Sequence, residues 1–327
     1  MKLNNDKVTV VTGGAGFIGS CVVRELNLRG ISNILIVDDL GLSDKWQNLT
    51  GKQYAEILHK SQLFDYLVAK ESSIGSIIHL GACSSTVERD ANYLLENNYR
   101  YSQRLACLAL DHNIRFVYAS SAATYGDGGH GFSDDHQMLA SLHPLNMYGY
   151  SKHLFDLWLL QNGLLDKVAG LKYFNVYGPN EWHKGRMASA IVRMVPELVE
   201  TGKIKLFQSN LSICADGEQK RDFIYVKDAA AITCDLVDSD ACGIFNVGTG
   251  EASSWNRLAT AVFSALLRSA SIEYIPMPQD LIGKYQYFTE ADTTKLEQAL
   301  KRKPCRFTLE EAVNDYVNAH LLQEKRW

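Results

Sequence analysis

The eight residues Thr12-Gly-Gly-Ala-Gly-Phe-Ile-Gly19 constrain the fold more than any other stretch of this chain. They follow a β-branched run at 8–11 and open an apolar pattern at helical spacing over 17–29. Glycines at 13, 16 and 19 permit a tight turn, let backbone approach a pyrophosphate, and let the helix pack closely. The helix start offers free N–H groups to the anion. Asp38 ends the next β-branched run, ILIVD at 34–38, nineteen residues beyond Gly19. An acid there bonds a ribose hydroxyl, so the pattern predicts a dinucleotide site of the nicotinamide class.

Further strand-like runs at 76–80 and 114–119 alternate with helical patterns at 17–29 and 90–112. Such alternation requires a parallel sheet with helices on both faces, reached by right-handed crossovers. Past Tyr148 the sequence predicts a helix near 148–162, a strand at 168–174, and smaller helices near 187–201, 227–239, 254–268 and 308–323. SNLSICADGEQK at 209–220 lacks periodicity and predicts an exposed loop. The expected fold class is α/β: a doubly wound parallel sheet with a smaller α/β substrate-binding lobe. Residues 1–175 form the dinucleotide-binding domain, completed by later segments. Residues 176–327 form mainly the substrate lobe, interleaved with the first.

Composition narrows the partners. A net charge of −4, with 46% hydrophobic and 21% charged residues, gives a folded chain with no field to draw it onto nucleic acid or an anionic membrane. No apolar run approaches the ~18–20 residues of a membrane span, and none at the start is long enough for a signal peptide. Seven cysteines, scattered without CxxC spacing, predict reduced thiols in the cytoplasm and no metal site.

Tyr148 and Lys152 stand four apart at the start of a helix, on one face. Ser120 and Ser121 follow a strand at the carboxyl edge of the same sheet. A Ser, a Tyr and a Lys converging beside a nicotinamide can deprotonate a carbinol while hydride leaves its carbon. Bringing the phenol from about 10 to near 7 takes about 4 kcal/mol. The Lys152 ammonium and an oxidised nicotinamide are expected to supply it.

TGGAGFIG, the strand ending in Asp38, HLGA at 79–82, SSAATYG at 120–126 and YGYSK at 148–152 resemble the extended short-chain dehydrogenase/reductases, whose fold is Rossmann-like. HLGACSST at 79–86, ENNYRYS at 96–102, LKYFNVYGP at 171–179, HKGRMAS at 183–189, KRDFIYVKD at 220–228, FNVGTG at 245–250 and GKYQYFTEAD at 283–292 narrow the resemblance to the ADP-L-glycero-D-manno-heptose 6-epimerases among the nucleotide-sugar epimerases. That resemblance implies oxidation of an ADP-heptose at C6″, presentation of the other face of the ketone, and reduction by the same cofactor. It implies Tyr148 and Lys184 as opposed acid/base groups, assisted by Lys152 and Ser121. Phe17, Ile18, Leu80, Gly81, Ala82, Cys83, Ser84, Asn97, Val176 and Lys184 would line the cofactor. Asp39 would repel a 2′-phosphate, while Lys45 and Lys60 would attract it, and NADP is expected ahead of NAD. Ser121, Asn175, Arg186, Arg193, Phe207, Arg221 and Tyr285 would face the sugar nucleotide. Arg221 could bridge a pyrophosphate or pair with Asp222 at the surface. The resemblance further implies a homo-oligomer, a pentamer, in cytoplasmic synthesis of a lipopolysaccharide inner-core precursor. Asp39, Arg186 and Leu80 stand where these epimerases often carry Asn, Ser and Glu.

Other functions fit less well. A 4,6-dehydratase needs an acid and a base where Ala122 and Ala123 follow Ser121. A UDP-hexose 4-epimerase has no need of HKGRMAS. A dinucleotide-binding sensor without turnover commonly loses the Tyr or the Lys, and both are present.

Overall fold

The computed structural model describes residues 3–279, 282 and 285–327. In chain order the strands are β1 Val8–Thr12, β2 Ile34–Asp38, β3 Glu56–His59, β4 Ile74–His79, β5 Arg115–Ser121, β6 Ala169–Tyr173, β7 Asn175–Tyr177, β8 Ile204–Phe207, β9 Lys220–Tyr225, β10 Gly243–Val247, β11 Ala252–Ser254 and β12 Ile272–Ile275. Seven of them make one parallel sheet in the order β10-β6-β5-β4-β1-β2-β3. The sheet is α/β and doubly wound, as the strand–helix alternation required.

Its strands alternate between two cores, as burial on both faces demands. Val11, Ile36, Val117, Leu171 and Phe245 pack on one side with the helices Phe17–Leu28 and Val226–Val237. Val10, Leu35, Val37, Ile77, Phe116 and Ile244 pack on the other with Tyr101–Asp111 and Met147–Gln161. β10 comes from the second half of the chain and closes one edge of the sheet through its register with β6.

The remaining strands form β11-β9-β7 and the parallel pair β12-β8. These small sheets, with the helices Ala190–Thr201 and Trp255–Ala265, stand over the carboxyl edge of β5 and β6. The 209–219 stretch has no strand or helix and is largely exposed. β3 and the helix Leu63–Lys70 were not anticipated from the sequence: EILH is only four residues long and half-exposed, so it carries no alternation to read. Among the described residues no helix is long and apolar enough to cross a membrane.

Candidate active site

The strand order reverses between β1 and β4, and doubly wound sheets open a crevice at such a point. The chain ends of both strands are stitched together there. Leu80 N donates to Thr12 O at 3.1 Å, and Gly81 N to Thr12 Oγ1 at 3.0 Å. Gly13 sits at φ +67°, and a Cβ on it would lie 2.7 Å from Gly81 N; a Cβ on Gly19 would lie 2.0 Å from Gly13 O. Only glycine lets this turn close against both the β4 end and its own helix. The helix Phe17–Leu28 begins with no side-chain cap and no acid in its first turn, leaving its N–H groups to an anion. The turn therefore fits a dinucleotide pyrophosphate.

A cavity of about 630 Å³ runs from this turn along the sheet edge. Gly13, Gly16, Phe17, Ile18, Gly19, Asp38, Lys45, Leu80–Ser84, Ser121, Tyr148, Lys152, Asn175, Val176 and Lys184 all line it. A branch of about 170 Å³ adds Asp39, Lys60 and Asn97. Asp38 is buried; its carboxylate accepts from Ala15 N at 2.8 Å, Asp39 N at 2.8 Å and Lys45 Nζ at 2.7 Å. Lys60 Nζ lies 3.5 Å from Asp39 and donates to Asn97 Oδ1 at 3.1 Å. Slight burial pushes the Asp39 carboxyl up, but Lys60, then His59 and Lys45, hold it below its usual value. Each expected phosphate-binding lysine is thus already matched to a carboxylate, a pairing that spacing alone did not reveal.

Beneath the cavity, His79 Nε2 lies 2.8 Å from Ser102 Oγ and Nδ1 lies 2.7 Å from Thr12 Oγ1. Ser102 spends its proton on Asn98 O, so the ring donates from Nε2 and accepts at Nδ1. Burial pushes its pKa down to about 3. Asn98, fully buried, holds the 80–84 loop by accepting from Cys83 N at 2.8 Å and donating to Cys83 O at 2.9 Å. It also donates to Ser151 Oγ at 3.0 Å, on the Tyr148 helix. Asn98 and Ser151 went unnoticed in the sequence, although both lie inside the ENNYRYS and YGYSK motifs.

The helix Met147–Gln161 starts at Asn146, whose Oδ1 accepts from Gly149 N at 2.8 Å. A Cβ on Gly149 would lie 2.7 Å from Ala123 O, so its absence lets the helix press onto the 122–125 turn. That contact sets the Tyr148 phenol beside Ser121 on the cavity wall. Lys152 is buried, donates to Ala119 O at 2.9 Å, and is pushed by burial down to about 8. The Tyr148 phenol is pushed up by burial, with the Ser121 hydrogen bond opposing. The Lys152 ammonium is directed at the Ala119 carbonyl and does not shift the phenol here; the depressed phenol is expected with an oxidised nicotinamide beside it. Ser120 is buried and donates to Asp156 at 2.7 Å, leaving Ser121 as the hydroxyl at Tyr148.

A second cavity, about 700 Å³, shares Thr86, Ser121, Tyr148, Tyr173, Phe174 and Asn175 with the first. It continues past Val87–Arg89, Leu145, Arg221, Tyr285 and Gln286. Arg221 is buried, donates to the carbonyls of Lys220 and Gln286, and lies 5.0 Å from the Tyr285 ring. Asp222 accepts instead from Thr249, Gly250 and Ala291, so the alternative of a surface Arg221–Asp222 pair is wrong. Arg193 and Phe207 line a third cavity of about 390 Å³, which meets the second at Tyr285. Lys184 lies 5.5 Å over the Phe17 ring and is lowered by burial, with Glu181 opposing. Its neighbour His183, missed in the sequence, lines the same cavity and is pushed down to about 4 by burial. Arg186 is exposed and lines none of these cavities, because Gly185 at φ +52° turns the chain outward after Lys184. The expected substrate role of Arg186 is not supported by its position. Gly283 and Lys284 of the GKYQYFTEAD motif lie outside the described residues.

Residues 9–248 match the model of the NAD dependent epimerase/dehydratase family. An ADP-L-glycero-D-manno-heptose-6-epimerase of Nitratidesulfovibrio vulgaris is 51% identical over 95% of this chain and 97% of its own. One from Fusobacterium nucleatum is 46% identical over 96% and 98%. The crystal structure of the Helicobacter pylori ADP-L-glycero-D-manno-heptose-6-epimerase superposes with a TM-score of 0.80 at 24% identity, covering 96% of both chains. With its glycine turn, its Tyr148–Lys152 helix and a family match across most of its length, the chain belongs to the NAD dependent epimerase/dehydratase family.

Proposed function

We propose that this enzyme converts ADP-D-glycero-β-D-manno-heptose to ADP-L-glycero-β-D-manno-heptose at C6″ through a transient 6″-ketone. The observation that carries the reading is the wall shared by the two large cavities: Ser121, Tyr148 and Asn175 face both. A sugar carbon held there meets the dinucleotide on one side and acid/base groups on the other. The relatives at 46–51% identity supply the substrate. These relatives do not favour a UDP-hexose 4-epimerase.

A bound nicotinamide supplies a hydride acceptor and donor. Tyr148 takes the hydroxyl proton, with Ser121 orienting the phenol and Lys152 holding the ribose. Lys184, lowered by burial, is suited to proton exchange from a second direction once the ketone has turned. The ADP portion runs past Arg221 and Tyr285 toward Arg193 and Phe207. NADP is the cofactor on this reading: its 2′-phosphate draws Lys45 from Asp38 or Lys60 from Asp39. Residues 176–327 supply most of the substrate lobe, and the enzyme works as a cytoplasmic homo-oligomer, a pentamer, in building a lipopolysaccharide inner-core precursor. Light scattering tests the assembly.

Incubation with ADP-D-glycero-β-D-manno-heptose, resolving the 6″ epimers, should give an equilibrium mixture without net cofactor reduction. In deuterated water C6″ should stay unlabelled, because the hydride returns to it; solvent deuterium there would demand direct carbon deprotonation. Lys45→Ala should weaken NADP by about tenfold and NAD by less than about twofold. Equal losses would remove the basis for the NADP assignment.

A further inference from the structure

Five polar side chains lie sealed beneath Ser121. Lys172 and Asp156 are both fully buried, with Lys172 Nζ 2.6 Å from Asp156 Oδ2. Tyr118 OH donates to Asp156 Oδ1 at 2.9 Å and Ser120 Oγ to Oδ2 at 2.7 Å. Lys172 Nζ also donates to Thr124 Oγ1 at 2.6 Å, and Thr124 Oγ1 passes its proton to Ser121 O at 2.8 Å. With Lys152 Nζ on Ala119 O at 2.9 Å, three consecutive residues at the end of β5 are each held by a different bond. The group joins β5, β6 and the Tyr148 helix, yet touches neither large cavity except through Ser120, Ser121 and Lys152. A buried ion pair is a poor source of net stability, since apolar replacements of equal volume commonly serve as well. Its geometry here has a different consequence.

We propose that the Lys172–Asp156 pair is a positioning device that fixes the 119–121 strand end, and so holds Ser121 and Lys152 in register with Tyr148. Asp156 stands one helical turn beyond Lys152. The Lys152 ammonium also acts on His79 at the end of β4, neutral with a pKa near 3, while Tyr148 shares its helix and Lys172 from β6 pairs with Asp156. Asp156 is the anion among them and raises Lys152 against the lowering effect of burial. Removing the carboxylate should therefore make Lys152 lose its proton at lower pH.

The inference rests on the epimerase reading for its kinetic arm but not for its structural arm. In the holoenzyme, Asp156→Asn should lower kcat about tenfold or more with KM within about twofold. The alkaline limb should move down by about half a pH unit or more. Amides 119–124 should exchange with deuterated water faster than in the parent, while amides of β1 and β2 do not. The double variant Asp156→Asn/Lys172→Met removes both charges of the pair, and tests the same points if the single variant does not fold. A double variant with parental kcat, alkaline limb and 119–124 exchange would overturn the proposal and leave the pair a packing feature. An inactive parent protein would instead defeat the epimerase reading, while exchange at 119–124 still reports on the clamp.

Discussion

On the dinucleotide side of Tyr148 much of the wall comes from two short contiguous stretches, 13–19 and 80–86, held by Thr12, His79, Ser102 and Asn98. On the sugar side the wall is side chains from segments far apart in sequence: Val87–Arg89, Leu145–Asn146, Arg221 and Tyr285–Gln286. The first surface is fixed before any ligand arrives, since its shape is that of the sheet edge itself. The second depends on how β9 and the 285–289 stretch settle against the sheet. The contrast separates what the family shares, a way of holding a dinucleotide, from what each member chooses, a sugar nucleotide.

The junction between the two surfaces should be the most sensitive place. Tyr148→Phe and Lys184→Met should each slow epimerisation by roughly 10²–10⁴-fold, the usual worth of a positioned acid or base. Cofactor content, read by absorbance after denaturation, should stay near that of the parent for Tyr148→Phe. A Lys184→Met enzyme at near-parental rate would confine that lysine to the cofactor wall and leave Tyr148 as the single base.

Next in size is damage to the backbone surface. Gly13→Ala places a Cβ 2.7 Å from Gly81 N at a positive φ, and neither neighbour is a side chain that can swing aside. The expected cost is about 2–4 kcal/mol of stability together with loss of bound dinucleotide. Calorimetry and nucleotide release measure both. An unchanged melting temperature would show that the turn is more compliant than its contacts imply.

The same contrast explains what the sequence could tell. The glycine turn, Asp38, the 80–84 loop and the YGYSK helix are local patterns, so their chemistry was legible before the fold. Lys45 pairing with Asp38 was not, because sequence separation says nothing about which of several acids a flexible lysine meets. Ser120 and Ser121 are adjacent and chemically identical, yet strand alternation sends one to Asp156 and the other to Tyr148. Arg193 and Phe207 carried no sign that their cavity joins the sugar cavity at Tyr285.

A smaller effect links pH to the dinucleotide surface. His79 is neutral in the fold, its pKa lowered by burial from 6.5 to about 3. Its contribution is complete above pH 6.5 and is lost progressively as pH falls toward 3, because the unfolded chain binds the proton first. The slope approaches about 1.4 kcal/mol per pH unit in that window, and protonated Nδ1 can no longer accept from Thr12, which itself supports Gly81. Urea midpoints between pH 7 and 5 should fall in the parent and fall less in His79→Gln. Parallel slopes in the two proteins would assign the acid sensitivity to other groups.

The smallest effect is expected at Arg186, and it sharpens the comparison because the resemblance pointed to substrate there. Arg186 shares the HKG segment with Lys184, but Gly185 reverses the chain between them, so one side chain lies over Phe17 and the other lies in solvent. An exposed cation outside every cavity gains little from a diphosphate beyond screened attraction. Arg186→Ser should therefore keep kcat and KM for the heptose nucleotide within about twofold, with the residual loss in KM shrinking as salt is raised. A tenfold rise in KM that persists at high salt would mean that the 185–189 stretch folds inward on the bound sugar nucleotide. The sugar-side wall would then include a segment that the sequence singled out and the cavity boundary leaves outside.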